Sequence, residues 1–359
     1  MNRIVALYHI DAPAREIEEQ AQNLAVEQSV EMPLAAIRDP RILKDVVGRV
    51  EDIEPASEGG FHVRIGLALE TMGADLGQLM NMLFGNASIL DHVRLLDAEF
   101  PQALLARYLG PRFGIQGLRA LLKAHDRPLT ATAIKPQGLA SDDLAGLCRT
   151  FARAGIDVIK DDHGMGDQSY APFHKRVAAC QKAVSTSRTL YAPHLTGGPK
   201  ALAEQIKVIK GEGVGMAMLS PMLLGLALVQ ELVAELGVPV LAHPAMAGAS
   251  RIAPSLLLGK LFRLAGADVV VYPNHGGRFG YSTGMCNDLA LAARGALGEL
   301  KPVIPVPAGG MTLKRVPEMV KFYGPDVMLL IGGGLLMAGD DLFEQSQAFV
   351  QAVAGKEMS

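Results

Sequence analysis

From about residue 115 onward the chain repeats one pattern: a short β-rich run ending in polar, Gly or Pro residues, then an amphipathic helical stretch. The runs are "LTATAIKP", "DVIKDD", "TLYAPHLTG", "GMAMLSP", "PVLAHPA", "DVVVYPN", "PVIPVPAGG" and "VMLLIGGG". Helical stretches such as "SDDLAGLCRTFARAG", "PKALAEQIKVIKGEG", "LALVQELVAELG", "PSLLLGKLFRLAG" and "LKRVPEMVKFYG" separate them. Apolar strands without alternation belong to a parallel sheet covered on both faces. Eight such units in about 240 residues point to an α/β chain folded as a (β/α)8, or TIM, barrel. A doubly wound open sheet is the competing arrangement. It rarely carries eight units, and no GxGxxG opens the first helix.

The segment ahead of the barrel reads differently. "RIVALYHI", "LKDVVGRVEDIE", "GGFHVRIGLALE" and "DHVRLLDAEF" read as strands, while "PAREIEEQAQNLAVEQ" and "DLGQLMNMLFGN" read as helices. The order β-α-β-β-α-β predicts a small ferredoxin-like α+β domain over residues 1–112, with the barrel over 113–359.

Composition narrows the function classes. Of 359 residues 49% are hydrophobic, enough for a large core. A net charge of −3 with mixed signs gives no basic stripe, so no nucleic-acid partner is expected. Three separated cysteines without CxxC read as reduced thiols, and no signal-peptide pattern opens the chain. The longest apolar run, "MLLGLALVQELV", is too short to span a membrane. A cytoplasmic protein is the expectation.

In a barrel, chemistry gathers where strands end and the following loops begin. The first strand ends at Lys135, which could act as an acid or base, or point to water as a rim lysine. The second ends in Lys160, Asp162 and His163. Alternation sends 160 and 162 to one side and 161 and 163 to the other until the strand gives way to loop. A carboxylate and an imidazole so close could ligate a divalent cation, and a buried Lys–Asp ion pair is the simpler reading. His194 and His243 end the third and fifth strands. Three of the chain's nine histidines thus fall at barrel strand ends.

The seventh and eighth strands end in Gly309-Gly310 and Gly332-Gly333-Gly334. Loops there are the usual phosphate site of a barrel, and glycine lets backbone amides approach a ligand; turn geometry also favours glycine. After the sixth strand, "NHGGRFGYS" is a glycine-hinged loop that carries Arg278 as a candidate phosphate ligand. These residues point to proton abstraction next to a carbonyl on a small phosphorylated substrate.

The order of strand ends resembles the RuBisCO large-chain family, and more closely the RuBisCO-like proteins that do not fix CO2. "IKPQG" resembles the family's strand-one lysine motif, "DVIKDDH" its metal motif, "LAHPAM" its strand-five histidine motif, and "PAGG" and "IGGG" its phosphate turns. Glu27 in "AVEQS" and Asn86 in "FGNAS" look like the acid and amide that enter the partner subunit's site. The resemblance implies a homodimer with shared active sites. It also implies Mg2+ held by a carbamylated Lys160, Asp162 and His163, with protons moved by the carbamate or Lys135. His194, His243 and Gln137 would then contact substrate, and Gly309, Gly310, Gly333 and Gly334 with Arg278 its phosphate.

The departures direct the functional reading. Gln137 stands for a second lysine, Pro244 for an arginine, Val271 for a histidine, Ala308 for a serine and His163 for a glutamate. The mobile loop also lacks the lysine of carboxylases. These changes imply loss of carboxylation and a substrate with one phosphate and an apolar far end. Among RuBisCO-like proteins the short chains that isomerise 5-methylthioribulose 1-phosphate in methionine salvage are the best match. The alternatives are a 2,3-diketo-5-methylthiopentyl-1-phosphate enolase, a sugar-acid phosphate enolising enzyme, a non-catalytic phosphosugar-binding barrel, and a Zn2+ or Mn2+ aldolase using His163, His194 and His243.

Overall fold

The computed structural model describes residues 3–73 and 75–355. Its first part contains strands β1 (Arg3–Ile10), β2 (Arg49–Pro55), β3 (Phe61–Ala68) and β4 (Val93–Glu99), with helices Ile17–Glu27 and Leu76–Phe84 between them. The strands form an antiparallel sheet in the order β2-β3-β1-β4, the topology of two interleaved β-α-β units. Alternate residues of β1 such as Ile4, Ala6 and Tyr8 are buried, and Leu24 and Leu79 of the two helices join the same core.

One expected strand is shorter than its pattern. Leu43–Val47 reads as extended β, yet Ile42–Val46 is a helical turn. The Asp39 carboxylate accepts from the Arg41 amide at 2.9 Å and starts the turn, and the Val47 amide closes on the Ile42 carbonyl at 3.0 Å. β2 begins only after Gly48, where an added Cβ would stand 2.3 Å from the Ala25 carbonyl oxygen.

The eight later strands all form: β5 (Leu129–Ile134), β6 (Val158–Asp161), β7 (Leu190–Ala192), β8 (Ala217–Leu219), β9 (Val240–Ala242), β10 (Val269–Pro273), β11 (Ile304–Ala308) and β12 (Met328–Leu330). They make two parallel sheets, β12-β5-β6-β7 and β11-β10-β9-β8. A parallel bridge between His194 and Met218 joins the sheets along one seam, with the Met218 amide on the Pro193 carbonyl at 2.9 Å. Among the described residues no ladder joins β11 to β12. The strand order and parallel sense are those of the expected α/β fold.

Both faces of these strands are apolar. Ala131, Val158, Met218, Leu241, Val271 and Val306 pack into one another on one face of the two sheets. Ile134, Ile159, Leu219, Val240, Val270 and Leu329 join the core on the other face. Val158 and Lys160 on β6 and Asp162 just beyond it follow one another on the inner side, so the apolar side of the strand becomes ionisable at its end. Asp161 faces out and is fully buried. It takes Arg176 Nε at 3.1 Å, the Tyr191 hydroxyl at 2.6 Å and the His194 amide at 3.0 Å. Arg176 also donates to the carbonyls of Gly166 and Ala171, which fixes the loop that follows β6.

The two parts are fastened together. Lys260 Nζ lies 2.7 Å from Asp97 on β4, and Leu95 bridges to Ile252. No helix among the described residues is long and apolar enough to cross a membrane.

Candidate active site

The C-terminal ends of the two parallel sheets open onto one cavity of about 650 Å³. The sheet containing β5 and β6 brings Lys135, Lys160, Asp162 and His163 to it. The sheet containing β9, β10 and β11 brings His243, Pro244, Val271 and Ala308. The turns with Gly309, Gly310 and Gly332–Gly334 and the loop residue Arg278 also line it.

Strand register explains how the ionisable groups meet. Ala133 pairs with Lys160 and Ile134 with Asp161, so the next step along both strands sets Lys135 beside Asp162. The Lys135 ammonium lies 2.7 Å from Asp162 Oδ2. Burial alone would raise the Asp162 pKa. The Lys135 hydrogen bond and the Gly164 amide, 3.0 Å away, outweigh it and hold the carboxyl at about 2.

Lys160 is 4% exposed, and its ammonium donates to the Asp161 carbonyl at 2.8 Å. Burial drives its pKa down to about 8, against the raising pull of Asp162. This amine is therefore easier to deprotonate than an ordinary lysine.

His163, just after β6, meets His243 from the end of β9 in the other sheet. Its Nδ1 is 3.3 Å from Asp162 Oδ1, and its ring lies flat on His243, with centroids 4.5 Å apart and planes 7° from parallel. Burial lowers the His163 pKa against the pull of Asp162. Burial, reinforced by Lys160, takes His243 down to about 2. His243 Nδ1 accepts the Ala245 amide at 3.2 Å, which places the proton of the neutral ring on Nε2.

The glycine turns are built for close approach. Gly309 and Gly310 have φ of 84° and 89°, which favours glycine. A Cβ on Gly277 would stand 2.1 Å from the Gly309 carbonyl oxygen, and the Arg278 amide donates to that same oxygen at 3.3 Å. The loop after β10 is thus seated directly on the turn after β11, carrying Arg278 to the cavity.

Other expected site residues lie elsewhere. His194 is 1% exposed and does not line the cavity. Its ring nitrogens are engaged by the Met165 carbonyl at 2.9 Å and Ser220 Oγ at 3.0 Å. Burial takes its pKa to about 4, against the Met165 carbonyl. Gln137 is exposed beside the cavity, packed over Gly164. Glu27 and Asn86 bond to each other at 2.8 Å and line a second hollow of about 380 Å³ with Gln20 and His92. Sequence reasoning passed over Phe279, Tyr281, Met311 and Leu330, which form much of the apolar wall. Phe279 and Tyr281 belong to the "NHGGRFGYS" loop and could have been read from it. Met311 and Leu330 carry no signal that separates them from core residues.

The comparisons with known proteins follow this geometry. The family model for the ribulose bisphosphate carboxylase large chain, catalytic domain, matches residues 114–206. "Ribulose bisphosphate carboxylase-like protein 1" of Rhodopseudomonas palustris is 50% identical, with 98% of each chain covered. "5-methylthioribulose-1-phosphate isomerase" of Rhodospirillum rubrum is also 50% identical, over 99% of this chain and 97% of that one. "2,3-diketo-5-methylthiopentyl-1-phosphate enolase" of Geobacillus kaustophilus is 35% identical, over 81% and 74%. The crystal structure of a Rubisco-like protein from Rhodopseudomonas palustris superposes with a TM-score of 0.93 at 48% identity, covering 100% and 99% of the chains. On these identities, and with the cavity at the strand ends, the chain belongs to the RuBisCO-like proteins of the RuBisCO large-chain family.

Proposed function

We propose that the protein is an isomerase that moves the carbonyl of 5-methylthioribulose 1-phosphate through enediolate intermediates, without CO2 fixation. The observation that carries this reading is the division of one cavity. It has two lysines and a carboxylate at one sheet, glycine turns with a single arginine, and an apolar wall of Pro244, Val271, Ala308, Tyr281 and Met311. That division suits a substrate with a reactive ketose, one phosphate and an apolar tail. The R. rubrum relative's name supports the same substrate.

The chemistry needs a base near neutral pKa and a charge that steadies the developing oxyanion. Lys160, an amine held near 8, meets the first need. Lys135, fixed at 2.7 Å by Asp162, presents an ammonium to the substrate oxygen. The base removes a proton from the carbon next to the carbonyl to give an enediolate, a proton exchanged with solvent is delivered to the former carbonyl carbon, and the hydroxyl proton passes between the two oxygens, which relocates the carbonyl. His243, neutral with its proton on Nε2, donates to a substrate oxygen.

We infer that the strand end after β6 would hold a divalent cation. Among the described residues no three His, Cys, Asp or Glu side chains form a metal cluster. Asp162 and His163 nonetheless stand side by side, and Lys160 occupies the same strand end as a buried amine able to add CO2. Lys160 as carbamate, Asp162 and His163 would hold a divalent cation such as Mg2+, which when bound polarises the carbonyl as a Lewis acid. Glu27 and Asn86, away from the chain's own cavity, would complete the site of a second copy in a homodimer.

The same groups could enolise a diketone, the substrate class in the name of the G. kaustophilus relative. NMR in D2O with 5-methylthioribulose 1-phosphate, the diketone and ribulose bisphosphate side by side separates the readings. Deuterium incorporation and a new ketose phosphate are expected with the first alone. Turnover of the diketone would make the protein an enolase, and binding without exchange would make it a phosphosugar-binding barrel.

A further inference from the structure

We infer that the cation site at the end of β6 favours a borderline transition metal, of the Fe2+, Co2+ or Zn2+ class, over Mg2+, because His163 supplies a nitrogen donor to it. The inference rests on the proposed metal site but not on the identity of the substrate.

The spacing of the donors comes first. His163 Nδ1 and Asp162 Oδ1 are 3.3 Å apart, longer than a good N–H···O hydrogen bond. Two neighbouring donors on an octahedral cation with bonds of about 2.1 Å lie roughly 3 Å apart. The pair is therefore close to the spacing of adjacent ligands.

Ring placement comes second. His163 is held flat against His243, and His243 is held by the Ala245 amide. An imidazole clamped between a carboxylate and a second ring does not need to be ordered when a cation arrives. Stacking fixes the plane in which the Nδ1 lone pair lies.

Donor chemistry comes third. Lys135 takes Oδ2 of Asp162 and the Gly164 amide donates to Oδ1 at 3.0 Å, so this carboxylate offers a cation one remaining lone pair on Oδ1 rather than two free oxygens. The set is then one carboxylate oxygen, one neutral nitrogen and the Lys160 carbamate. Mg2+ favours anionic oxygens and sheds water reluctantly, whereas imidazole suits Fe2+, Co2+, Ni2+ and Zn2+.

Titration of the protein with Co2+ or Mg2+ alone, in bicarbonate buffer, tests this. Any such site favours Co2+ to some degree, so the readout is the Co2+ to Mg2+ affinity ratio in wild type against His163→Glu. The ratio is expected to fall about tenfold or more in the variant. His163 is half exposed, so the variant is expected to fold. A second readout needs no variant: the wild-type Co2+ complex should show an exchangeable, hyperfine-shifted imidazole N–H proton resonance. An unchanged ratio, absence of that resonance, or failure of Co2+ to bind would overturn the inference. If both readouts hold while 5-methylthioribulose 1-phosphate shows no deuterium exchange, the isomerase reading fails and the metal inference stands.

Discussion

Lys135 and Asp162 meet through a 2.7 Å ion pair because their strands run in parallel register and end together. The pair holds an ammonium at the rim of the cavity and keeps the carboxylate charged. It also ties β5 to β6 at the point where both strands give way to loop.

Replacing Lys135 with alanine is expected to slow turnover of 5-methylthioribulose 1-phosphate by about 100-fold or more, the usual scale of a lost group that stabilises a developing oxyanion. The stability loss should exceed the roughly 0–1 kcal/mol typical of a surface pair, since Lys135 is a third exposed but the Asp162 it leaves behind is buried. Steady-state kinetics and a urea melt on the same preparation check both statements.

Lys160 sets a pH dependence. Its folded pKa is about 8, below the ordinary 10.5, so the unfolded chain binds this proton more readily. The stability penalty is therefore full below pH 8 and is relieved as pH rises from 8 toward 10.5. Turnover, which needs the amine uncharged, is expected to rise through about pH 8. A pH–rate profile flat between 7 and 9 would remove Lys160 from the proton-transfer or carbamate role.

The outward network at Asp161 is structural. Asp161→Asn leaves the fully buried Arg176 guanidinium without its carboxylate, and breaking such a pair typically costs about 3–5 kcal/mol. Chemical denaturation should show this loss. Because Asp161 faces away from the cavity, residual folded enzyme should keep its KM.

Gly309 has φ of 84°, where an L side chain costs roughly 1–2 kcal/mol, and a Cβ there would press to 2.9 Å from the Phe279 ring. Gly309→Ala is expected to raise KM for the phosphorylated substrate about tenfold with a smaller effect on kcat. Competition by inorganic phosphate should weaken in parallel.

Much of this architecture is legible in the sequence because parallel strands buried on both faces must be written as unbroken apolar runs. Alternation along β6 alone puts Lys160 and Asp162 on the inner face and Asp161 on the outer. His194 shows the limit of that logic. Its strand position resembles that of His243, but only the folded chain reveals that Met165 and Ser220 engage both ring nitrogens. Residues 43–47 show another limit, since one Asp39–Arg41 contact turns a strand-like pattern into helix. Met311 and Leu330 line the cavity through the arrangement of strand ends, which no local pattern encodes.

The central claim is proton abstraction next to a ketose carbonyl, dependent on Lys160. Proton NMR of 5-methylthioribulose 1-phosphate in D2O, with wild type and Lys160→Ala in parallel, measures it directly. The wild type should replace a carbon-bound proton with deuterium as a new ketose phosphate appears, and the variant should do neither. Equal exchange by both proteins, or none by the wild type, would contradict the account.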